Sequence, residues 1–142
     1  MIDLISYVPR FPKMGETLHG TEFRMGYGGK GANQAIMAAK LGSKVIMVSK
    51  VGDETFGEGT IDNFKKNGVT TNFVYKSKEE FSGVAPIFVT PNGENSIVIV
   101  SGSNNKLTKD EILQAESEIS KSTYLVCQLE IEVELSLIAL RL

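Results

Sequence analysis

Residues 28–34 bring together groups that could bind a small polar ligand. Their glycines let the backbone approach a ligand closely, Lys30 supplies a flexible cation, and Asn33 supplies an amide near a predicted helix start. Such groups suit a sugar, because each sugar hydroxyl donates one hydrogen bond and accepts up to two. Asp3 and Glu130 can complete the set, since each lies at the predicted carboxyl end of a sheet strand, where open α/β folds place ligands. These residues therefore predict a sugar site.

The same loop permits other interpretations. Residues 26–31 match the dinucleotide pattern G-x-G-x-x-G, precede a predicted helix and have Asp53 about twenty residues further on. The preceding residues 21–25 mix charged and apolar side chains, which is typical of a half-exposed strand and disfavours a buried first strand. A P-loop is excluded because Lys30 is not followed by Ser or Thr. A purely structural loop, in which Asn33 only caps its helix and the acidic residues are solvated strand ends, stays open.

The composition places the chain among globular proteins and limits its partners. Of 142 residues, 42% are hydrophobic and 23% are charged, a balance that can build a core. A net charge of -2 leaves no basic field for nucleic acid. The single cysteine, Cys127, excludes an internal disulfide, and no apolar stretch approaches the ~20 residues that span a bilayer. We expect a cytoplasmic chain, with nuclear presence left open, that binds neither nucleic acid nor membrane.

The positions of these residues depend on an alternation of short apolar runs and helical patterns. Such alternation predicts an α/β fold with a mostly parallel central sheet flanked by helices. Thr108 and Glu111 form a predicted capping box at one helix start. The predicted helices cover residues 33–41, 53–67, 108–119 and 132–142, and the predicted central strands cover residues 45–48 and 124–129.

A second group of segments does not fit the alternation. Residues 17–27, 83–89 and 95–101 look like strands without intervening helices, and residues 91–93 are a turn that would join the last two. Pro86 has no amide hydrogen, so its strand is expected at an edge or a bulge. These segments predict a small antiparallel sheet that stands off the α/β body as a lid, with lid strands at approximately 5–27 and 83–101.

Both ends of the chain predict a larger unit. Residues 1–4 are too short for the central strand that the pattern places before Asp3. Residues 132–142 carry leucine and isoleucine on nearly all sides of the predicted helix, so that helix requires more cover than this sequence supplies. We expect residues 1–142 to form one incomplete domain.

Four segments resemble motifs of the ribokinase-like (PfkB) family of carbohydrate kinases, in the same order and spacing. Residues 28–35 (GGKGANQA) resemble its sugar-binding loop, and residues 12–17 (PKMGET) resemble its P-x-x-G-E-T entry to the lid. Residues 51–53 (VGD) and 128–130 (QLE) are similar to two further family segments. The resemblance covers almost the whole chain and implies a partial ribokinase-like fold with a small β lid.

The resemblance also implies a role for each residue of the predicted site. Asp3 would accept hydrogen bonds from sugar hydroxyls, Asn33 would bond a ring hydroxyl, and Glu130 would accept from the anomeric side. Ile87 and Ile99 match lid positions that cover the apolar face of the sugar, with packing inside the lid as the alternative. A closed lid excludes water, which competes as phosphoryl acceptor. The implied sugar-binding residues are Asp3, Gly28, Gly29, Lys30, Gly31, Ala32, Asn33 and Glu130.

Other parts of the family's machinery are missing from this sequence. The family's catalytic base is an Asp in a Gly-Ala-Gly-Asp segment that does not occur here, so no catalytic residue is expected up to Leu142. The residues that bind Mg-ATP and a potassium ion also lie downstream in the family. Met1 stands where the family usually has an Asn that contacts the sugar.

The form of the loop, with Lys30 and Gln34, points to one branch of the family. That branch transfers the γ-phosphoryl group of ATP to O5 of D-ribose, giving ribose 5-phosphate, and commonly dimerises through the lid sheet. Residues 1–142 alone are expected to be inactive. The alternatives are a non-catalytic truncated product that binds sugar or dimerises through its lid, and another pentose, deoxyribose or nucleoside kinase of the family.

Overall fold

A computed structural model describes residues 1–142 and divides them between two sheets and five α-helices. The predicted α/β fold class is confirmed. The strands are β1 (Ile2–Tyr7), β2 (Glu22–Tyr27), β3 (Val45–Gly52), β4 (Val69–Ser77), β5 (Val84–Val89) and β6 (Asn95–Ile97). The helices are α1 (Lys30–Lys40), α2 (Thr55–Lys66), α3 (Lys109–Gln114), α4 (Glu116–Ile119) and α5 (Val133–Ala139), with a 3-10 helix at Gly102–Lys106.

The first unit, which we call the body, consists of β3, β4 and all the helices. β3 and β4 form a parallel pair joined by α2. Ala35 of α1 and Phe64 of α2 pack with Val69 of β4 in one core cluster. A second cluster consists of Leu107, Ile112, Leu135 and Ala139. Each amphipathic helix thus covers apolar surface of the body, as strand, helix, strand units require.

The second unit is a four-stranded sheet in the order β2-β1-β5-β6, which we call the lid sheet. β1 is antiparallel to β2 but parallel to β5, and β6 is antiparallel to β5. The predicted small sheet is present, although it is mixed and not wholly antiparallel. The difference arises because the chain crosses the body between β2 and β5 and then enters β5 in the direction of β1.

Pro86 lies inside the lid sheet, so the predicted edge position is wrong. β5 has β1 on one side and β6 on the other. The amide of Val98 donates to the carbonyl of Pro86 at 3.0 Å, and the register shows no bulge there. The strand tolerates proline at this place because only the single bond from the missing N–H is lost.

Two predictions placed acidic residues at the carboxyl ends of central strands, and both placements are wrong. Asp3 is the second residue of β1, whose partners belong to the lid sheet. Residues 124–129 form no strand, and Tyr124 and Leu129 are 86% and 77% exposed. A strand needs a neighbouring strand for its backbone hydrogen bonds. No strand lies beside this run, so Glu130 follows a segment without regular secondary structure.

The helices follow the sequence patterns closely. Thr108 accepts a hydrogen bond from the amide of Glu111 at 3.3 Å, and Glu111 accepts one from the amide of Thr108 at 2.9 Å, so the predicted capping box is confirmed. The helix predicted over 108–119 is interrupted at Ala115, which separates α3 from α4. The helix predicted over 132–142 covers only residues 133–139, as α5, which buries one face against the body, while Leu140, directly after it, is exposed.

Candidate sugar-binding site

Gly28 lies against the carboxylate of Asp3, where the glycine loop meets the lid sheet. Asp3 pairs with Gly26 across β1 and β2, and the amide of Gly28 donates to the carbonyl of Met1 at 3.0 Å. A Cβ at Gly28 would overlap with the Asp3 carboxylate, so glycine is required by the close approach. Burial raises the pKa of Asp3 above its ordinary value, and the amino group of Met1 opposes this shift.

The start of α1 places Asn33 beside the loop with its side chain unengaged. Gly29 is the residue before the helix and has φ of 98°, a left-handed conformation that favours glycine. The backbone amide of Asn33 donates to the carbonyl of Gly29 at 2.9 Å, while the Asn33 side chain makes no hydrogen bond within the chain. Asn33 is exposed and does not cap α1. The interpretation of Asn33 as a helix cap is therefore wrong, and its amide is free to bind a ligand.

Residues 128–130 are distant from the glycine loop in sequence but lie against it in the structure. The ammonium group of Lys30 pairs with the carboxylate of Glu130, which also accepts a hydrogen bond from the Lys30 amide at 3.3 Å. Gln128 donates to the side chain of Gln34 at 2.8 Å, one turn further along α1. Because the Lys30 side chain is largely exposed, this ion pair contributes little to stability and can exchange for sugar hydroxyls.

One face of the lid sheet carries Asp3 together with both predicted lid contacts. Asp3 pairs with Ala85, and Ile87 lies two residues further along β5, so both point to the face of Asp3. Ile99 lies between Val98 and Val100, which bond Pro86 and Val84, and therefore lies opposite Ala85 on that same face. The structure thus brings Asp3, Ile87 and Ile99 onto one surface.

Sequence reasoning missed contacts that hold the glycine loop and the entrance to β5 against α2. The hydroxyl of Tyr27 lies against Gly59 of α2, where a Cβ would overlap with it. The carboxylate of Glu54 accepts hydrogen bonds from Ser82, just before β5. Burial alone would raise the pKa of Glu54, but the bonds from Ser82 and from the α2 amides outweigh it and lower the pKa. Gly57 and Gly59 inside a helix are a signal of close approach, whereas no local pattern points to Ser82.

Other kinds of site find no support in the same residues. Asp53 pairs with Lys76 at 3.1 Å, and residues 26–27 end an antiparallel strand, so the dinucleotide arrangement is absent. Residues 1–142 contain no cluster of three His, Cys, Asp or Glu side chains that could hold a metal ion. No helix has the length and hydropathy that crossing a bilayer requires.

One cleft of the body lies away from the predicted sugar residues. It has a volume of about 430 Å³ and is lined by lysines near the ends of β3 and β4. Lys50 is paired with Glu111 at 2.7 Å, and Lys76 is paired with two carboxylates. Because these charges are largely compensated, the chemistry favours the glycine loop over the cleft as the functional site.

Comparison with known proteins connects this geometry to a family. The sequence profile of the pfkB family of carbohydrate kinases matches residues 1–134. The chain belongs to this family. It is 47% identical over 140 residues to the ribokinase of Mus musculus, covering 99% of this chain and 43% of the relative. It is 48% identical over 134 residues to the deoxyribokinase of Salmonella typhi, covering 94% of this chain and 44% of the relative.

The fold comparison agrees with this assignment. The Arabidopsis thaliana ribokinase complexed with ribose and ATP superposes with a TM-score of 0.86 at 27% identity. The superposition covers 99% of this chain and 46% of that structure. The chain therefore spans less than half the length of these relatives.

Proposed function

We propose that the whole protein to which residues 1–142 belong is an ATP-dependent kinase that phosphorylates O5 of D-ribose, giving ribose 5-phosphate. The observation that carries this proposal is that Asp3 and Glu130 both contact the glycine loop, which leads into the helix that carries the unengaged side chain of Asn33. The similarity to the mouse ribokinase supports ribose as the sugar. The nearly equal identity to a deoxyribokinase makes 2-deoxy-D-ribose the second candidate.

The proposed site offers both hydrogen-bond donors and hydrogen-bond acceptors. Asp3 and Glu130 would accept from sugar hydroxyls, Lys30 would donate, and the amide of Asn33 would do both. Gly28 and its neighbours up to Ala32 would let the backbone form the wall of the site. The sugar would exchange with the exposed pair of Lys30 and Glu130, so that binding does not leave either charge without a partner.

Residues 1–142 supply sugar binding and not phosphoryl transfer in this proposal. The magnesium and potassium ions that the family resemblance implies would be held by residues outside 1–142 in this proposal. The co-substrate ATP would bind to residues outside 1–142. Ile87 and Ile99, on the face of Asp3, would cover the bound sugar and exclude water from it.

The lid sheet is also the proposed surface for a homodimer. Its face opposite Asp3 carries Phe23, Met25 and Val98, which are 62%, 51% and 58% exposed. A second copy of the chain is the proposed occupant, because two identical apolar faces can bury one another about a two-fold axis. An exposed apolar face of this kind commonly marks an interaction site.

A titration of the 142-residue chain with sugar tests the site directly. We expect binding of D-ribose by calorimetry, and we expect Asn33→Ala to raise the Kd about tenfold or more, because a buried hydroxyl loses its partner. Asn105→Ala, at an exposed position of the 3-10 helix, is the matched control and should leave the Kd unchanged. An unchanged Kd in Asn33→Ala, or no binding by a folded chain, contradicts the proposal. Stronger binding of 2-deoxy-D-ribose would favour the second candidate.

A further inference from the structure

Four backbone segments pass side by side between the body and the lid sheet. They are residues 1–2, 28–29, 82–83 and 101–102. The amide of Gly28 donates to the carbonyl of Met1 at 3.0 Å, and the amide of Ile2 donates to the carbonyl of Gly83 at 2.8 Å. These bonds join the glycine loop, the start of β1 and the entrance to β5 in one row. A displacement of one segment is therefore transmitted to its neighbours.

The carboxylate of Glu54 ties this row to the body. It accepts hydrogen bonds from the amides of Phe56 at 2.7 Å and Gly57 at 3.1 Å, at the start of α2. It also accepts from the amide of Ser82 at 3.0 Å and from the Ser82 hydroxyl. The Ser82 oxygen in turn accepts from the amide of Gly52 at 3.0 Å, at the end of β3. One carboxylate thus joins β3, α2 and the entrance to β5.

The surroundings leave this network little freedom. Ser82 and Gly52 are buried, and a Cβ at Gly52 would lie 2.5 Å from the amide nitrogen of Ser82. Buried donors that lose their acceptor carry the full cost of desolvation. The position of Ser82 therefore depends on the charge and the reach of the Glu54 side chain.

We propose that Glu54 is a positioning residue for the sugar site. By fixing Ser82 and Gly83 it sets the position of Ile2 at the start of β1, and through β1 the position of the Asp3 carboxylate. Glu54 itself does not touch the sugar. The effect on sugar affinity rests on the proposed function, whereas the effect on the order of residues 82–85 does not.

Two variants separate positioning from simple helix capping. Glu54→Gln keeps the size of the side chain but removes the charge and one acceptor. Ser82→Ala removes the hydroxyl that links Glu54 to Gly52 and leaves the bonds of Glu54 to α2 in place. Glu58→Gln is the matched control, because Glu58 lies on α2, is exposed and uses its side chain only to bond Lys76.

Hydrogen exchange and calorimetry on the 142-residue chain give the two readouts. In both Glu54→Gln and Ser82→Ala we expect the amides of residues 82–85 to exchange about tenfold faster, with a rise in the D-ribose Kd of similar size. Exchange in α1 and in residues 45–51 of β3 should stay as in the unmodified chain, whereas the amide of Gly52 loses its acceptor in Ser82→Ala and should exchange faster there. Glu58→Gln should change neither readout.

Each outcome decides a separate question. Unchanged exchange at residues 82–85 in Ser82→Ala overturns the positioning role, as does faster exchange accompanied by an unchanged Kd. If Glu54→Gln unfolds the whole chain, Ser82→Ala alone decides. If the unmodified chain binds no ribose, the proposed function fails, and exchange at residues 82–85 then tests the link from Glu54 to the lid sheet.

Discussion

Gly26 and Gly28 lie two positions apart in the chain but meet different surroundings. A Cβ at Gly28 would overlap with the carboxylate of Asp3, whereas a Cβ at Gly26 would meet no atom within 4 Å. Neither glycine has a positive φ, so backbone conformation does not distinguish them. The difference between the two positions is therefore a direct measure of how closely the loop approaches Asp3.

Alanine should be harmful at Gly28 and tolerated at Gly26. Gly28→Ala is expected to lower the free energy of unfolding by about 1–3 kcal/mol, because the added methyl group displaces a packed carboxylate. The same displacement should weaken D-ribose binding about tenfold or more. Gly26→Ala should stay close to the unmodified chain in both respects. Urea unfolding and calorimetry measure the two quantities, and equal affinities of all three chains would remove Asp3 from the proposed site.

The residues of the site were accessible to sequence reasoning to different degrees. Lys30 and Asn33 belong to one contiguous motif, so local pattern alone indicates them. The sequence alone does not decide whether Asn33 caps its helix, because a cap depends on backbone angles that only the structure provides. Glu54 and Ser82 could not be paired in advance, since their contact joins segments far apart in sequence.

Helix α2 illustrates how an element can accept a locally unfavourable residue. Gly57 lies inside this helix, where glycine ordinarily costs about 1 kcal/mol relative to alanine. The carbonyl oxygen of Gly52, at the end of β3, occupies the space that a Cβ of Gly57 would need. The short connection from β3 to α2 is therefore possible only with glycine at this position.

Gly57→Ala should destabilise the chain, contrary to its effect on an isolated helix. We expect a loss of about 2 kcal/mol or more in the free energy of unfolding, because backbone atoms cannot move aside as a flexible side chain can. Glu58→Ala, at the next and exposed position, should have an effect within about 0.5 kcal/mol. Urea denaturation of both variants is the measurement. A more stable Gly57→Ala chain would show that helix propensity dominates and that β3 can withdraw.

Helices were easier to predict than strands for a physical reason. The capping box of Thr108 and Glu111 and the apolar faces of α1 and α2 are properties of neighbouring residues in the chain. A strand also requires a partner, and residues 124–129 have apolar side chains but no strand beside them. The same limitation hid the parallel pairing of β1 with β5, which joins distant parts of the sequence.

The whole molecule exposes two separate apolar surfaces. One is the face of the lid sheet with Phe23, Met25 and Val98, and the other belongs to the carboxyl-terminal part of the chain, where apolar side chains of residues 124–129 and of Leu140, directly after α5, are exposed. Surfaces of this kind commonly mark interfaces. The two surfaces lie on different elements, so they need not have the same kind of partner.

Sedimentation velocity can assign each surface. We expect the 142-residue chain to form dimers through the lid sheet, so Met25→Lys should shift the distribution toward monomer by placing charge inside the contact. Leu41→Lys, at an exposed apolar position at the end of α1, is the matched control and should leave the dimer intact. If Leu140→Lys abolishes association while Met25→Lys does not, the second surface and not the lid sheet forms the dimer.

The parallel pairing of β1 with β5 also determines when the lid sheet can form. Ile2 pairs with Val84, and β2, α1, β3, α2 and β4 all lie between them in the chain. During synthesis from the amino terminus, β1 and β2 emerge early and can pair only with each other, while β5 emerges after β4. The body strands pair across a single helix, which is a far more local contact. The surface that carries Asp3, Ile87 and Ile99 can therefore be completed only after residue 99 has been synthesised, and a chain interrupted before β5 lacks that surface.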